Sequence, residues 1–180
     1  YGTSMCYPIS SMGSHVSVVP NHQLNRITSL HTRANVAYFG TFGYELDLNK
    51  LTDEEIAEVK AQIIFMKEYR ELIQFGNFYR LKSPFDGNET VWMTVSEDKR
   101  KALVFWYRER NVVNAEFTRV RLQGLDPDLI YKNEYNGTEN YGDELMNLGL
   151  LTTDVTAGEP TNEDLPCTDY ESRIYVLTAE

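Results

Sequence analysis

The 180 residues are 42% hydrophobic and carry 17 Lys plus Arg against 27 Asp plus Glu, a formal net charge of −10. That apolar content supports a true core and the length suits one domain or one and a fraction, while the negative charge repels phosphate backbones and anionic membranes, which argues against nucleic acid and membrane partners. No run of about 18 apolar residues occurs, and the first residues lack a basic region followed by an apolar one, so neither a membrane span nor a signal peptide is expected and the chain reads as soluble and cytoplasmic.

Residues 1 to 34 are rich in Ser, Pro, His and Asn with short apolar stretches such as Val16 to Val19, which predicts a strand and then a long loop. A short helix over Arg26 to Arg33, capped by the Thr28 hydroxyl, is expected within it. The stretch Val36-Ala37-Tyr38-Phe39-Gly40-Thr41-Phe42-Gly43-Tyr44 is nearly continuous in apolar and small residues, as in a strand covered on both faces. Thr52-Asp53-Glu54-Glu55 then forms a capping box with acids in the first turn, where the helix dipole favours them. Ile56, Val59, Ile63 and Met66 follow at spacings of three and four toward Tyr69 and Ile73, and Gly76 supplies a left-handed stop. A buried strand followed by a helix of roughly 30 Å is the repeat of an α/β barrel or layer.

From residue 77 the pattern changes to short strands: Phe78 to Leu81, Thr90 to Ser96, Ala102 to Arg110, Phe117 to Gln123, Ile130 to Tyr135 and Arg173 to Thr178. Turn residues such as Ser-Pro-Phe-Asp-Gly-Asn at 83 to 88 separate them, so an antiparallel sandwich is the economical reading. The fold class is therefore α/β then all-β, divided into 1–76 and 77–180.

Cys6 and Cys167 match no zinc or redox spacing and read as free thiols in a reducing compartment. His15, His22 and His31 do not share one helical face, so no metal site is expected, and no cofactor motif occurs. Asn88-Glu89-Thr90 and Asn136-Gly137-Thr138 fit the glycosylation pattern, but so short a match carries no weight. The polar cluster Met12 to His15 and Pro20 to Gln23 suits a loop that holds a polyol, or one whose polar groups satisfy its own backbone. Glu45 and Asp47 would share a strand face, as a glycosidase carboxylate pair requires, yet their position before a turn favours turn acids or ion-pair partners. Trp92 and Trp106 read either as a sugar-stacking platform or, more simply, as cross-strand core.

Tyr-Gly-Thr-Ser at 1 to 4, Tyr7-Pro8-Ile9-Ser10, Met12-Gly13-Ser14-His15-Val16-Ser17, Val19-Pro20-Asn21-His22-Gln23, the run Phe39 to Leu48, Ser83-Pro84-Phe85 and the run Gly142 to Asn147 resemble the closing part of a bacterial glycoside hydrolase family 36 α-galactosidase. The resemblance covers essentially the whole chain in order. It implies a retaining enzyme that removes terminal α-galactose from melibiose and raffinose-type sugars, built as an N-terminal β-domain, a (β/α)8 barrel and a C-terminal β-sandwich. This chain would contain the barrel's last strand and helix units and the sandwich. The nucleophile and acid/base aspartates would precede Tyr1, which fits an opening without Met, so the chain alone is expected to be inactive scaffold. On the resemblance, the loops around His15 and Asn21-His22 would follow the penultimate barrel strand and lie near the site mouth, which makes these three residues candidates for contact with sugar hydroxyls although the family assigns them no such role, and related enzymes suggest a tetrameric parent. It does not separate α-galactosidases from α-N-acetylgalactosaminidases or transglycosidases, and a non-catalytic carbohydrate-binding or assembly module remains the alternative.

Overall fold

The computed structural model describes residues 1–112, 116–152 and 169–179. The chain divides into two compact units, Tyr1–Gly76 and Asn77–Glu180.

In the first unit, single 3-10 turns at Thr3–Met5 and Ile9–Ser11 lead into strand β1 (Gly13–Ser17), helix α1 (Leu30–Ala37), strand β2 (Thr41–Glu45), a further 3-10 turn and the long helix α2 (Asp53–Phe75). Strands β1 and β2 pair in parallel, with α1 as the crossover between them.

Two sequence expectations need correction here. The cap of α1 is Ser29, whose hydroxyl accepts from the Thr32 N–H at 3.0 Å, and the helix runs on to Ala37. The apolar stretch from Val36 to Tyr44 is therefore not one strand. Its first residues finish a helix that buries Leu30, Ala34 and Ala37, and only Thr41 onward is extended. A short apolar run does not by itself distinguish a buried strand from a buried helix end. The break comes at Gly40, which adopts φ +150°, and an added Cβ there would lie 2.6 Å from the Met12 carbonyl oxygen.

Helix α2 forms as its sequence dictates. The Thr52 hydroxyl accepts from the Glu55 N–H at 3.2 Å, and the Glu55 carboxylate accepts from the Thr52 N–H at 2.9 Å, which satisfies two of the unpaired groups of the first turn. The inward stripe is Val59, Gln62, Met66 and Ile73, with Ile56, Ile63 and Tyr69 half-buried beside it. Gly76 is not a left-handed stop: it is extended at φ −67°, ψ 167°, while its N–H still caps Leu72. Extended backbone at this point carries the chain directly into a strand.

The second unit is built on a six-stranded antiparallel sheet in the order β3-β4-β5-β10-β7-β8. Its strands are β3 (Asn77–Lys82), β4 (Glu89–Val95), β5 (Lys101–Arg108), β7 (Ile130–Asn133), β8 (Glu139–Tyr141) and β10 (Glu171–Ala179). A separate two-stranded pair joins β6 (Arg119–Val120) to β9 (Leu150–Leu151), with helix α3 (Gly142–Asn147) between β8 and β9. Val91, Met93, Val104, Trp106, Tyr175 and Leu177 from the sheet form one core with Val120, Leu122, Leu125, Leu145 and Leu150. Among the described residues, the layer packed on this sheet comes from β6, β9, α3 and the segment that carries Leu122 and Leu125.

Candidate functional site

Parallel strands present their ligand-facing chemistry at their carboxyl ends. In the first unit those ends are Ser17 of β1 and Glu45 of β2, which are register partners. Side chains alternate across the pleat. Val16, fully buried, and its register partner Tyr44 lie on one face, with Phe42 two residues before Tyr44 on the same side. Phe42 stacks on Tyr38 of the α1 C-cap at 4.9 Å, and Tyr44 donates to the Gln62 side chain of α2 at 2.8 Å, so this face belongs to the helices. Burial raises the phenol pKa of Tyr44 to about 12, with the nearby Glu58 adding to the rise. The other face therefore carries Gly13, His15, Ser17, Thr41, Gly43 and Glu45, all small or polar.

On that face His15 Nε2 lies 2.5 Å from Glu45 Oε2, and the two side chains are 51% and 73% exposed. Sequence reasoning sets His15 among the ligand candidates and Glu45 among turn acids or ion-pair partners; the fold joins them into one polar device. Asp47 is the turn acid, its Oδ1 accepting from the Asn49 N–H and side-chain amide at 3.0 Å. The two carboxylates thus serve separate local tasks.

The strand end is braced from behind. Arg33 of α1 donates to the Ser17 carbonyl and to the Thr28 carbonyl, the latter at 3.2 Å. Burial pushes the Arg33 guanidinium pKa below its ordinary value, and Glu55 and Glu58 partly offset this.

Asn21 shapes the loop that follows. Its Oδ1 accepts from the Gln23 and Leu24 N–H groups at 3.0 Å each, its N–H donates to the Arg26 carbonyl at 2.9 Å, and its carbonyl accepts from Asn25 at 2.8 Å. The side-chain oxygen is committed to backbone. His22 is exposed on the same loop, and among the described residues it shows no hydrogen bond or ion pair. His31 approaches the Asn35 amide at 2.9 Å along α1, so the three histidines diverge. Among the described residues no group of three or more His, Cys, Asp or Glu is placed to hold a metal ion.

Cys6 is exposed and free, while Cys167 lies outside the described residues. Trp92 and Trp106 are buried in the sheet. Trp92 meets Tyr107 edge-on at 5.4 Å, and the Arg108 and Arg173 guanidinium groups lie over Trp106 at 5.3 and 5.4 Å. Both rings pack the sheet and are not a stacking platform. A cavity of about 390 Å³ at the mouth of the β3–β4 hairpin is lined by Lys82, Asp86 and Asn88 among others, and none of His15, Asn21 or His22 borders it.

Residues 1–76 match the Melibiase family model, and residues 89–177 match the glycosyl hydrolase family 36 C-terminal domain. The alpha-galactosidase AgaA of Geobacillus stearothermophilus is 53% identical over 150 residues, which are 83% of this chain and 20% of that protein. The bifunctional alpha-galactosidase/sucrose kinase AgaSK of Mediterraneibacter gnavus is 47% identical over 150 residues, 83% of this chain and 16% of its own length. The crystal structure of AgaA from Geobacillus stearothermophilus superimposes with a TM-score of 0.89 at 47% identity, covering 100% of this chain and 23% of that one. A variant of the same enzyme, crystallised with raffinose, gives a TM-score of 0.90 at 46% identity over the same shares. The chain spans about a fifth of the length of these relatives. Matched by models over most of its length and by fold over all of it, the chain belongs to glycoside hydrolase family 36 and contains that family's C-terminal domain.

Proposed function

We propose that this chain is the C-terminal part of a retaining α-galactosidase that hydrolyses terminal α-galactosides of the melibiose and raffinose type. The observation that carries the reading is the superposition of the whole chain on AgaA at 47% identity, since AgaA is an alpha-galactosidase and a variant of it binds raffinose. In this reading the β1-α1-β2-α2 arrangement of residues 1–76 supplies the last two units of a (β/α)8 barrel, and residues 77–180 form a terminal β-sandwich. The parent is a cytoplasmic homo-oligomer, a tetramer by family resemblance, and uses no cofactor.

Retention requires one carboxylate to attack the anomeric carbon and a second, about 5 to 5.5 Å away, to protonate the leaving oxygen. Both belong to the polypeptide before Tyr1, so this chain contributes scaffold and a rim of polar groups at the strand ends. His15 and the Asn21–His22 loop lie on that rim, with Asn21 acting mainly by holding the loop in shape.

A chimera tests the proposal: the corresponding C-terminal segment of AgaA is replaced by these 180 residues and assayed with p-nitrophenyl α-galactoside. The chimera is expected to release nitrophenol, and the 180-residue chain alone to release none. A soluble, folded chimera without activity, or turnover by the isolated chain, would overturn the assignment.

A further inference from the structure

We infer that Glu45 is a substrate-positioning carboxylate of the parent enzyme and that His15 acts through it, holding the carboxylate in place. This inference rests on the α-galactosidase reading above and adds a residue to it.

Three observations converge on Glu45. It is the last residue of β2 and the register partner of Ser17, the last residue of β1, so it stands at the carboxyl end of both parallel strands, where β/α layers bind ligands. The pleat puts it on the face opposite Tyr44, away from α2, in company with Gly43 and Thr41. A Cβ added at Gly13 or Gly43 would meet nothing within 4 Å among the described residues, so no side chain of this unit covers the pair.

His15 Nε2 lies 2.5 Å from one carboxylate oxygen, Oε2. A carboxylate has about four lone-pair sites, so Oε1 and the remaining lone pair of Oε2 retain capacity for hydroxyl donors. A pyranoside offers adjacent hydroxyls that donate in pairs, and charge-assisted hydrogen bonds of this kind are the strong ones. Exposed carboxylates on mobile side chains orient nothing. The imidazole removes that freedom, much as outer partners orient the ligands of a metal site.

The test uses the complete enzyme containing this chain, with Glu45→Gln, His15→Ala and His15→Gln variants. Initial rates on p-nitrophenyl α-galactoside and inhibition by free galactose are measured together. Glu45→Gln is expected to raise KM and the galactose inhibition constant together by roughly tenfold, more than it lowers kcat, because one charge-assisted hydrogen bond is worth about that factor. His15→Ala should move the same constants in the same direction by less. His15→Gln, whose side-chain amide offers a donor to the Glu45 carboxylate, should recover part of the loss, which a purely structural imidazole would not predict. Unchanged KM and galactose inhibition in a folded Glu45→Gln enzyme would overturn this inference and leave the α-galactosidase reading intact. Absence of α-galactoside turnover by the unsubstituted enzyme would remove both.

Discussion

Tyr131 offers a sharp test of how the second unit is held together. Its ring is 1% exposed within the core, and its hydroxyl does two jobs: it donates to the Lys99 carbonyl at 2.6 Å and accepts from the Asp126 N–H at 2.9 Å. One side chain thereby ties the tight turn before β5 to the loop before β7. Phe at this position keeps the ring and deletes both bonds. The Lys99 carbonyl belongs to an exposed residue and regains water, so its loss is the smaller, about 0.5–1.5 kcal/mol. The Asp126 N–H sits on a half-buried residue and stays unpaired, at about 1–3 kcal/mol. Tyr131→Phe should therefore cost about 1.5–4.5 kcal/mol, a fall in Tm of roughly 3–18 °C for a chain of this size. Urea unfolding followed by circular dichroism is the assay, with Tyr141→Phe, whose ring is 52% exposed, as the control expected within about 0.5 kcal/mol. A Tyr131→Phe chain as stable as the control would show that the two hydrogen bonds contribute nothing net.

Alkaline pH probes the buried phenols as a group. Burial raises the pKa values of Tyr38, Tyr44, Tyr107 and Tyr131, that of Tyr44 to about 12. Below the unfolded tyrosine value of about 10 both states keep their protons; above it the unfolded chain loses them first, so stability is complete below about pH 10 and falls as pH rises toward the folded values. Denaturant midpoints measured between pH 8 and 11 should decline only at the upper end, and a flat profile would refute the burial. Thr52→Ala removes half of an exposed capping box and should destabilise the chain by about 1 kcal/mol, measured by thermal unfolding. Gly142→Ala would place a Cβ 1.9 Å from the Asp126 carbonyl oxygen, so it should cost about 1–3 kcal/mol or more, with soluble yield and Tm as readouts.

Legibility followed the range of the interactions involved. Helix α2 was readable because its determinants lie within a few residues of one another: the Thr52–Glu55 box and an apolar stripe at helical spacing. Strands β3, β4 and β5 are readable for the same reason, as short runs of strand-forming residues bounded by turn residues. The cap of α1 is Ser29 and not Thr28, because the two hydroxyls are chemically equivalent as acceptors and only the folded backbone selects between them. Strand β8 and helix α3 carry no comparable local signal. Glu139-Asn140-Tyr141 has no apolar alternation, and α3 spans only Gly142–Asn147, so both depend on neighbours more than on propensity. The Asn136-Gly137 dipeptide was the available hairpin signal: Gly137 adopts φ +71°, and its N–H donates to the Asn133 carbonyl at 2.8 Å.

The amino-acid order alone determined family membership, the change from helical to strand periodicity near residue 77 and the face that α2 buries, because each is written in residue types at short, regular spacings. Tertiary structure decided what adjacency in the chain does not specify. It set β10 between β5 and β7, bringing Glu171 to Arg108 across 63 positions, and it turned Asn21 inward on its own loop. It also joined His15 to Glu45 across parallel strands separated by a helix. Such contacts form only when the free energy of the whole core offsets the loop-closure entropy between distant segments, so no local window of sequence encodes them.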